Sequence, residues 1–166
     1  MENPTVRIAL QTDKPAIQDL TTRAFGQEDE ARIIGKLETD GDVLLQLVAV
    51  MEERIVGHVL FYRLGVRGKL GAAGLGPISV DPWVQREGVG SMLMNAGLTM
   101  MREGGVPIVF VLGHEWYYPR FGFTLEATEP FQTSVKGPHF FAVRLSFGPP
   151  MSGELIFPAA FGVPRA

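Results

Sequence analysis

A strand-like run ends in Val80-Asp81-Pro82, and Trp83-Val84-Gln85-Arg86-Glu87-Gly88-Val89-Gly90-Ser91 follows it. Helical periodicity begins at Gly88, with Val89, Met92, Leu93, Ala96 and Met100 recurring at spacings of three and four. The first N–H groups of a helix have no internal partner and lie at the positive end of its dipole. Glycines there remove side chains, so phosphate oxygens can approach the amides. The chemistry on offer is binding of an anion. A nucleotide phosphate loop needs Lys-Ser/Thr after its last glycine, and Ser91-Met92 stands here. A dinucleotide fingerprint needs a third glycine or alanine, but Gly88-x-Gly90 has Leu93 there and Gly74-x-Gly76 has Ser79. A helix start that binds nothing fits the same six residues, Gln85 to Gly90.

Other reactive groups are sparse. The chain has no cysteine, which removes thiolate metal sites, disulfides and a cysteine nucleophile. Its three imidazoles, His58, His114 and His139, are far apart, so no metal site is expected. The 166 residues fit one domain, and 46% hydrophobic residues suffice for a core. With a net charge of −3 and no basic run, no nucleic-acid partner is expected. Met1-Glu2-Asn3-Pro4 does not read as a signal peptide, and no apolar stretch reaches the ~18 residues of a membrane span. No membrane contact and a cytoplasmic location are therefore expected.

Several elements must position these groups. Alternation predicts a strand over Thr5–Gln11, then a helix with Asp13 as its cap and Pro15 in its first turn. A second helix is predicted over Asp29–Thr39, ended by Gly41. Leu44–Met51 and Ile55–Leu64 read as a hairpin joined by Glu52-Glu53-Arg54. A strand over Gly74–Val80, the long helix from Gly88 to Glu103 and a buried strand over Pro107–Leu112 follow. Tyr117–Phe121 reads as a short helix, and Phe123–Leu125, Phe140–Phe147 and Glu154–Phe157 as strands. Hairpin strands ahead of a strand–helix–strand crossover predict a mixed sheet.

Gln85-x-x-Gly88-x-Gly90 resembles the acetyl-CoA pyrophosphate loop of the GCN5-related N-acetyltransferases, whose pattern is Q/R-x-x-G-x-G/A. Downstream, Tyr117-Tyr118-Pro119-Arg120-Phe121-Gly122-Phe123 looks like the Y-x-x-x-G-F signature of that family. Val111-Leu112-Gly113 before it, and Gly153 to Phe161 at the end, are similar to one branch of predicted acetyltransferases in the family. The resemblance covers nearly the whole chain, with motif order and spacing in agreement.

The resemblance implies an α/β (α+β) acyltransferase fold over residues 1–166. Its sheet would be mixed, mostly antiparallel, flanked by helices and split beside the long helix. It implies acetyl-CoA as cosubstrate, and as acceptor the amine of a small molecule or peptide. The main chain of Gln85, Arg86, Glu87, Gly88, Val89, Gly90 and Ser91 would hold the pyrophosphate. Ile78, Ser79 and Val80 would pair with the pantetheine arm, and an amide near Val80 would face the thioester oxygen. Tyr118 would protonate the departing thiolate. The chain departs from the related pattern at His114, where an aspartate is expected. His114 and Glu115 are candidate bases, beside deprotonation through ordered water; His58 is a third, on its strand. Glu28, Asp29 and Glu30 would lie at the acceptor cleft or in a solvated loop. A homodimer is possible. Transfer of another acyl group, and an acyl-CoA-binding module without turnover, remain alternatives.

Overall fold

The structure is a computed structural model that describes residues 3–67, 69–85 and 87–166. Among these, eight strands and three α-helices form: β1 (Thr5–Ile8), α1 (Lys14–Phe25), α2 (Asp29–Thr39), β2 (Val43–Met51), β3 (Arg54–Val66), β4 (Lys69–Val80), α3 (Val89–Glu103), β5 (Ile108–Leu112), β6 (Phe131–Gln132), β7 (Phe140–Arg144) and β8 (Gly153–Ile156). The strand order is β1-β2-β3-β4-β5-β7, with β8 beside β3 and β6 beside β8. The expected mixed sheet is present. β4 and β5 run parallel, whereas β1/β2, β5/β7 and β3/β8 are antiparallel. Contacts group the chain into two compact units, Met1–Phe61 with Pro77–Leu98, and Tyr62–Gly76 with Thr99–Ala166. β3, β4 and α3 each contribute residues to both.

In the first unit, helices cover both faces of the strands. A Cβ on Gly57 would lie 2.7 Å from Val89 Cγ1 and 2.9 Å from Leu93 Cδ1, so α3 rests against bare β3 backbone there. At Gly97 of α3 a Cβ would lie 2.4 Å from Phe61 Cε2. Successive strand residues point to opposite faces, and His58 accordingly faces the other side. Its Nε2 is 2.7 Å from Gln46 Oε1, and Gln46 Nε2 donates to Glu38 Oε2 of α2 at 3.1 Å. A carboxylate only accepts, so Glu38 fixes the Gln46 amide, and Gln46 in turn makes His58 Nε2 the donor. His58 Nδ1 is left buried without a partner. Burial pushes the imidazole down to about 4.

The second unit has an aromatic core. Phe110 meets Phe131 edge-on at 5.0 Å and stacks on Phe140 at 5.5 Å. Tyr62 packs on Phe161 at 4.6 Å and on Phe157 at 6.4 Å. Its ring occupies the space over Gly74, where a Cβ would lie 2.0 Å from Tyr62 Cζ.

Several boundaries differ from expectation. β1 stops at Ile8, and Asp13 does not cap α1. Its carboxylate takes Arg7 at 2.7 and 3.1 Å and the Leu10 N–H at 2.7 Å, because a two-pronged charge-assisted pair outweighs a single cap bond. The hairpin turn is two residues, Glu52 and Glu53, both left-handed with φ of 51° and 64°. β4 starts at Lys69 rather than Gly74, since Gly71 and Gly74 dilute the strand pattern. Phe123–Leu125 is not a strand: Thr124 makes a single bridge to Ala142 and a 3-10 turn follows at Glu126–Thr128. β7 ends at Arg144, whose guanidinium takes the carbonyls of Ser146, Gly148 and Pro150 and turns the chain back. β6 was not expected; it is two residues long and pairs parallel with β8.

Two outcomes follow from these contacts. Gly97→Ala should lower unfolding free energy by about 1–3 kcal/mol in urea titration, since overpacking against Phe61 outweighs the better helix propensity of alanine. The depressed His58 acts on stability through pH. Above its ordinary 6.5 the imidazole is neutral in both states and the full stability is present. As pH falls toward about 4 the unfolded chain binds the proton first, and stability drops by about 3 kcal/mol. His58→Gln should flatten that slope in unfolding curves taken from pH 7 to 4.

Candidate cofactor loop and tyrosine turn

The loop belongs to the first unit and is built from the end of β4 onward. Register with β5 runs over Ala73–Leu75, and Gly76 follows with φ 138°. Ile78 and Val80 are half-buried; Ser79 is buried, and its Oγ has no partner. Asp81 then anchors the turn. Its N–H donates to Val56 O at 2.8 Å, and its carbonyl accepts the Val84 N–H at 2.9 Å. Its carboxylate accepts the Trp83 N–H at 3.1 Å and Arg23 Nη1 at 2.9 Å. Asp81 thus forms the turn, but Arg23 lies 58 residues away and no local pattern announces it. Burial pushes the Asp81 carboxyl up, but the Trp83 amide, Arg23 and the charge of Arg54 together hold it below the usual carboxylate range.

After the 3-10 turn Pro82–Val84, Gln85 folds back so that its Nε2 donates to Val80 O at 3.3 Å. Arg86 lies outside the described residues. Glu87 is exposed. Gly88 has φ 81°, a left-handed value that favours glycine, and its carbonyl accepts the first helical bond, from Met92 N at 3.0 Å. The N–H groups of Val89, Gly90 and Ser91 therefore precede that bond, and among the described residues they have no helical acceptor. Val89 is 1% exposed, its side chain spent on Gly57, so only its amide is available to a ligand.

The tyrosine turn belongs to the second unit. Tyr117 and Tyr118 donate their N–H groups to His114 O at 3.1 and 3.4 Å. Tyr118–Phe121 forms a 3-10 helix, and Gly122 ends it at φ 92°. That left-handed stop is the physical reason for glycine in the Tyr-x-x-x-Gly-Phe spacing. Tyr118 is buried against Gly113, where a Cβ would lie 2.3 Å from the ring, and meets Phe123 edge-on at 5.8 Å. Burial, with a smaller push from Tyr117, raises its phenol to about 12. It is protonated throughout the neutral range. Tyr117 instead carries Arg120 over its ring at 4.9 Å.

The candidate bases are distributed differently from one another. His114 and Glu115 are exposed on the loop before Tyr118. His114 stacks on the exposed Trp116 at 5.5 Å, a contact the sequence reading did not single out. His58 lies in the core. Glu28 and Asp29 pair with Arg32, and Glu30 with Gln27, on the surface of the α2 start. Among the described residues no group of three or more His, Cys, Asp or Glu is placed to hold a metal ion, and no helix is long and apolar enough to cross a membrane.

Residues 5–125 match the family model described as an acetyltransferase (GNAT) domain. The chain is 39% identical over 124 residues to the uncharacterized N-acetyltransferase YjhQ of Escherichia coli, covering 72% of this chain and 68% of that one. It is 35% identical to the uncharacterized N-acetyltransferase YhbS of E. coli, covering 74% of each. A crystal structure of E. coli YhbS in complex with CoA superposes with a TM-score of 0.87 at 28% identity, over 96% of this chain and 92% of that one. A GNAT-family acetyltransferase from Brucella melitensis in complex with acetyl-CoA superposes at 0.81 with 31% identity, over 96% and 98%. A fold of this topology, a glycine-opened helix after a parallel strand and these relatives agree: the chain belongs to the GNAT family of N-acetyltransferases.

Proposed function

We propose that the chain, acting as one domain over residues 1–166, moves an acetyl group from acetyl-CoA to a primary amine of a small molecule or peptide by direct attack in a ternary complex. The observation that carries this reading is the helix opening at Gly88, with the amides of Val89, Gly90 and Ser91 preceding the first helical bond. They suit a pyrophosphate, and the main chain of Gln85, Arg86, Glu87 and Gly88 completes the loop. Acetyl-CoA in the similar Brucella protein and CoA in YhbS support that choice of ligand. Ile78, Ser79 and Val80 would pair with the pantetheine arm through their main chain, and an amide near Val80 would stabilise the oxyanion. Passage of β3, β4 and α3 through both compact units supports the single domain.

In the proposed reaction the amine nitrogen bonds to the thioester carbonyl carbon, and the carbonyl electron pair moves to oxygen. Collapse breaks the C–S bond, and the thiolate takes the phenolic proton of Tyr118. The proton lost by the amine goes to water, with His114 and Glu115 as the exposed side chains assigned to receive it. Both spent groups are restored by exchange with solvent. The absent cysteine agrees with direct attack, because no acetyl-cysteine can form.

With acetyl-CoA and a panel of amines, Tyr118→Phe should cut kcat by about 100-fold, the usual contribution of a general acid, and leave the KM for acetyl-CoA within about twofold. An unchanged kcat would remove Tyr118 from the mechanism. Gly88→Ala forces a side chain into a left-handed conformation at a cost of about 1–2 kcal/mol. It should weaken acetyl-CoA binding by roughly tenfold in calorimetry. Tight acetyl-CoA binding with no thiol released for any amine would turn the reading to a binding module.

A further inference from the structure

An open cavity of about 370 Å3 lies within the first unit, and its charged lining residues other than Asp13 are exposed to solvent. It is lined by Arg7, Asp13, Asp19, Arg23, Glu53 and Arg54, with a floor from α1 and β2. That volume falls within the ~300–1,000 Å3 of small-molecule sites. Three guanidinium groups face three carboxylates, so the lining is neutral overall and strongly polar. The pairing among them is incomplete. Arg7 is taken by Asp13, and Arg23 by Asp19 and Asp81, at 2.7–2.9 Å. Among the described residues, neither Glu53 nor Arg54 makes a side-chain hydrogen bond or ion pair.

Glu53 and Arg54 are neighbours in sequence and of opposite sign, and the charge of Arg54 also acts on Asp81. Glu53 sits on a turn held in an unfavourable backbone conformation, since Glu52 and Glu53 have φ of 51° and 64°, and Arg54 opens β3 directly after it. Two-residue hairpin turns of this kind prefer Asn-Gly or Asp-Gly. A glutamate at each left-handed position costs about 1–2 kcal/mol. Residues kept in such conformations gather at ligand sites. Here the conformation brings a carboxylate and a guanidinium together at one cavity. A guanidinium binds a carboxylate with two parallel bonds, and a carboxylate receives an ammonium.

Arg23 gives the cavity a route outward. The side chain that lines it also holds Asp81, the residue anchoring the turn into the glycine loop. A ligand carboxylate that draws on Arg23 competes with Asp81 for the same donors. Any such coupling is reciprocal, so acetyl-CoA would change the affinity of the cavity by the same factor.

We propose that this cavity is a second ligand site for a small zwitterion that carries both an ammonium and a carboxylate, of the class of a free α-amino acid. Its carboxylate would bind Arg54 and draw on Arg23, its ammonium would bind Glu53, and its occupancy would change acetyl-CoA affinity through Arg23 and Asp81. The coupling rests on the function proposed above; binding of the zwitterion does not.

The test uses the full chain in calorimetry with glycine, L-serine and L-glutamate, and with acetate and methylammonium as separate halves. At least one amino acid should bind with a Kd below 1 mM, an upper limit equivalent to about −4 kcal/mol, and each half at least tenfold more weakly. Arg54→Ala and the milder Glu53→Gln should each weaken binding tenfold or more. In Glu53→Gln, thiol release without added amino acid should stay unchanged, and unaltered circular dichroism would show that both variants fold. The Kd for acetyl-CoA should shift about fivefold or more when the amino acid is present, and not in Arg54→Ala. No binding by any of the three, or binding unaffected by both substitutions, would overturn the site. Binding without a shift in acetyl-CoA affinity would overturn the coupling alone. Amino-acid-dependent thiol release that Arg54→Ala abolishes would make the cavity the acceptor subsite and end the second-site reading. Failure of acetyl-CoA itself to bind would instead strike the proposed function, and the amino-acid titration would still decide the cavity.

Discussion

Val89 and Leu93 of the long helix seat against the naked backbone of Gly57, and the position of the glycine loop descends from that contact. A side chain at Gly57 would push α3 away from β3. A side chain at Gly97, one turn further along the helix, would do the same against Phe61. With both absent, the helix lies close on its strand and its first turn is fixed in space. The three amides that open it then point outward from a rigid base. Main-chain donors at a helix opening have no side chains to reorient, so their precision is that of the packing behind them.

Electrostatics refine what packing sets. Among the described residues Asp81 is the one acidic side chain buried beside the loop; Arg23 balances its charge and the Trp83 amide donates to it. An unpaired carboxylate there would repel a pyrophosphate. His58, a few residues from Asp81's acceptor Val56, is handled in the opposite way: burial keeps it uncharged. Tyr118 is buried too, and the same desolvation that makes a histidine hard to protonate makes a phenol hard to ionise. Each buried group is thus neutral or locally paired.

Much of this was legible in the sequence where short-range rules dominate. Helix Asp29–Thr39 was expected with the bounds it has, and the Gly88 helix opening was visible because glycine spacing reports backbone conformation directly, whereas Gly122 was marked only as part of the tyrosine signature and its role as a stop came from the structure. Long-range pairings were not legible. Asp13 looked like a cap because its partner, Arg7, sits on another element. Arg23 gave no sign of Asp81. The start of β4 was hidden because glycines under Tyr62 erase the alternation that marks a strand. β6 is two residues long and exists only by pairing with β8, so no periodicity could report it. His58 alternated as a core residue should, yet its burial depends on Gln46 and on α2 above it.

The aromatic core of the second unit bears on where this protein ends as a folding unit. The family model stops at residue 125, but both ring partners of Phe110, on β5, come from Phe131 and Phe140. The rings that cover Tyr62 come from later still, at Phe157 and Phe161. A piece trimmed to the matched region would carry the glycine loop and the tyrosine turn but leave two strands with their inner faces bare to water. The last quarter of the chain is a lining for strands made much earlier. For anyone transplanting or shortening this protein, the boundary that matters is drawn by those rings.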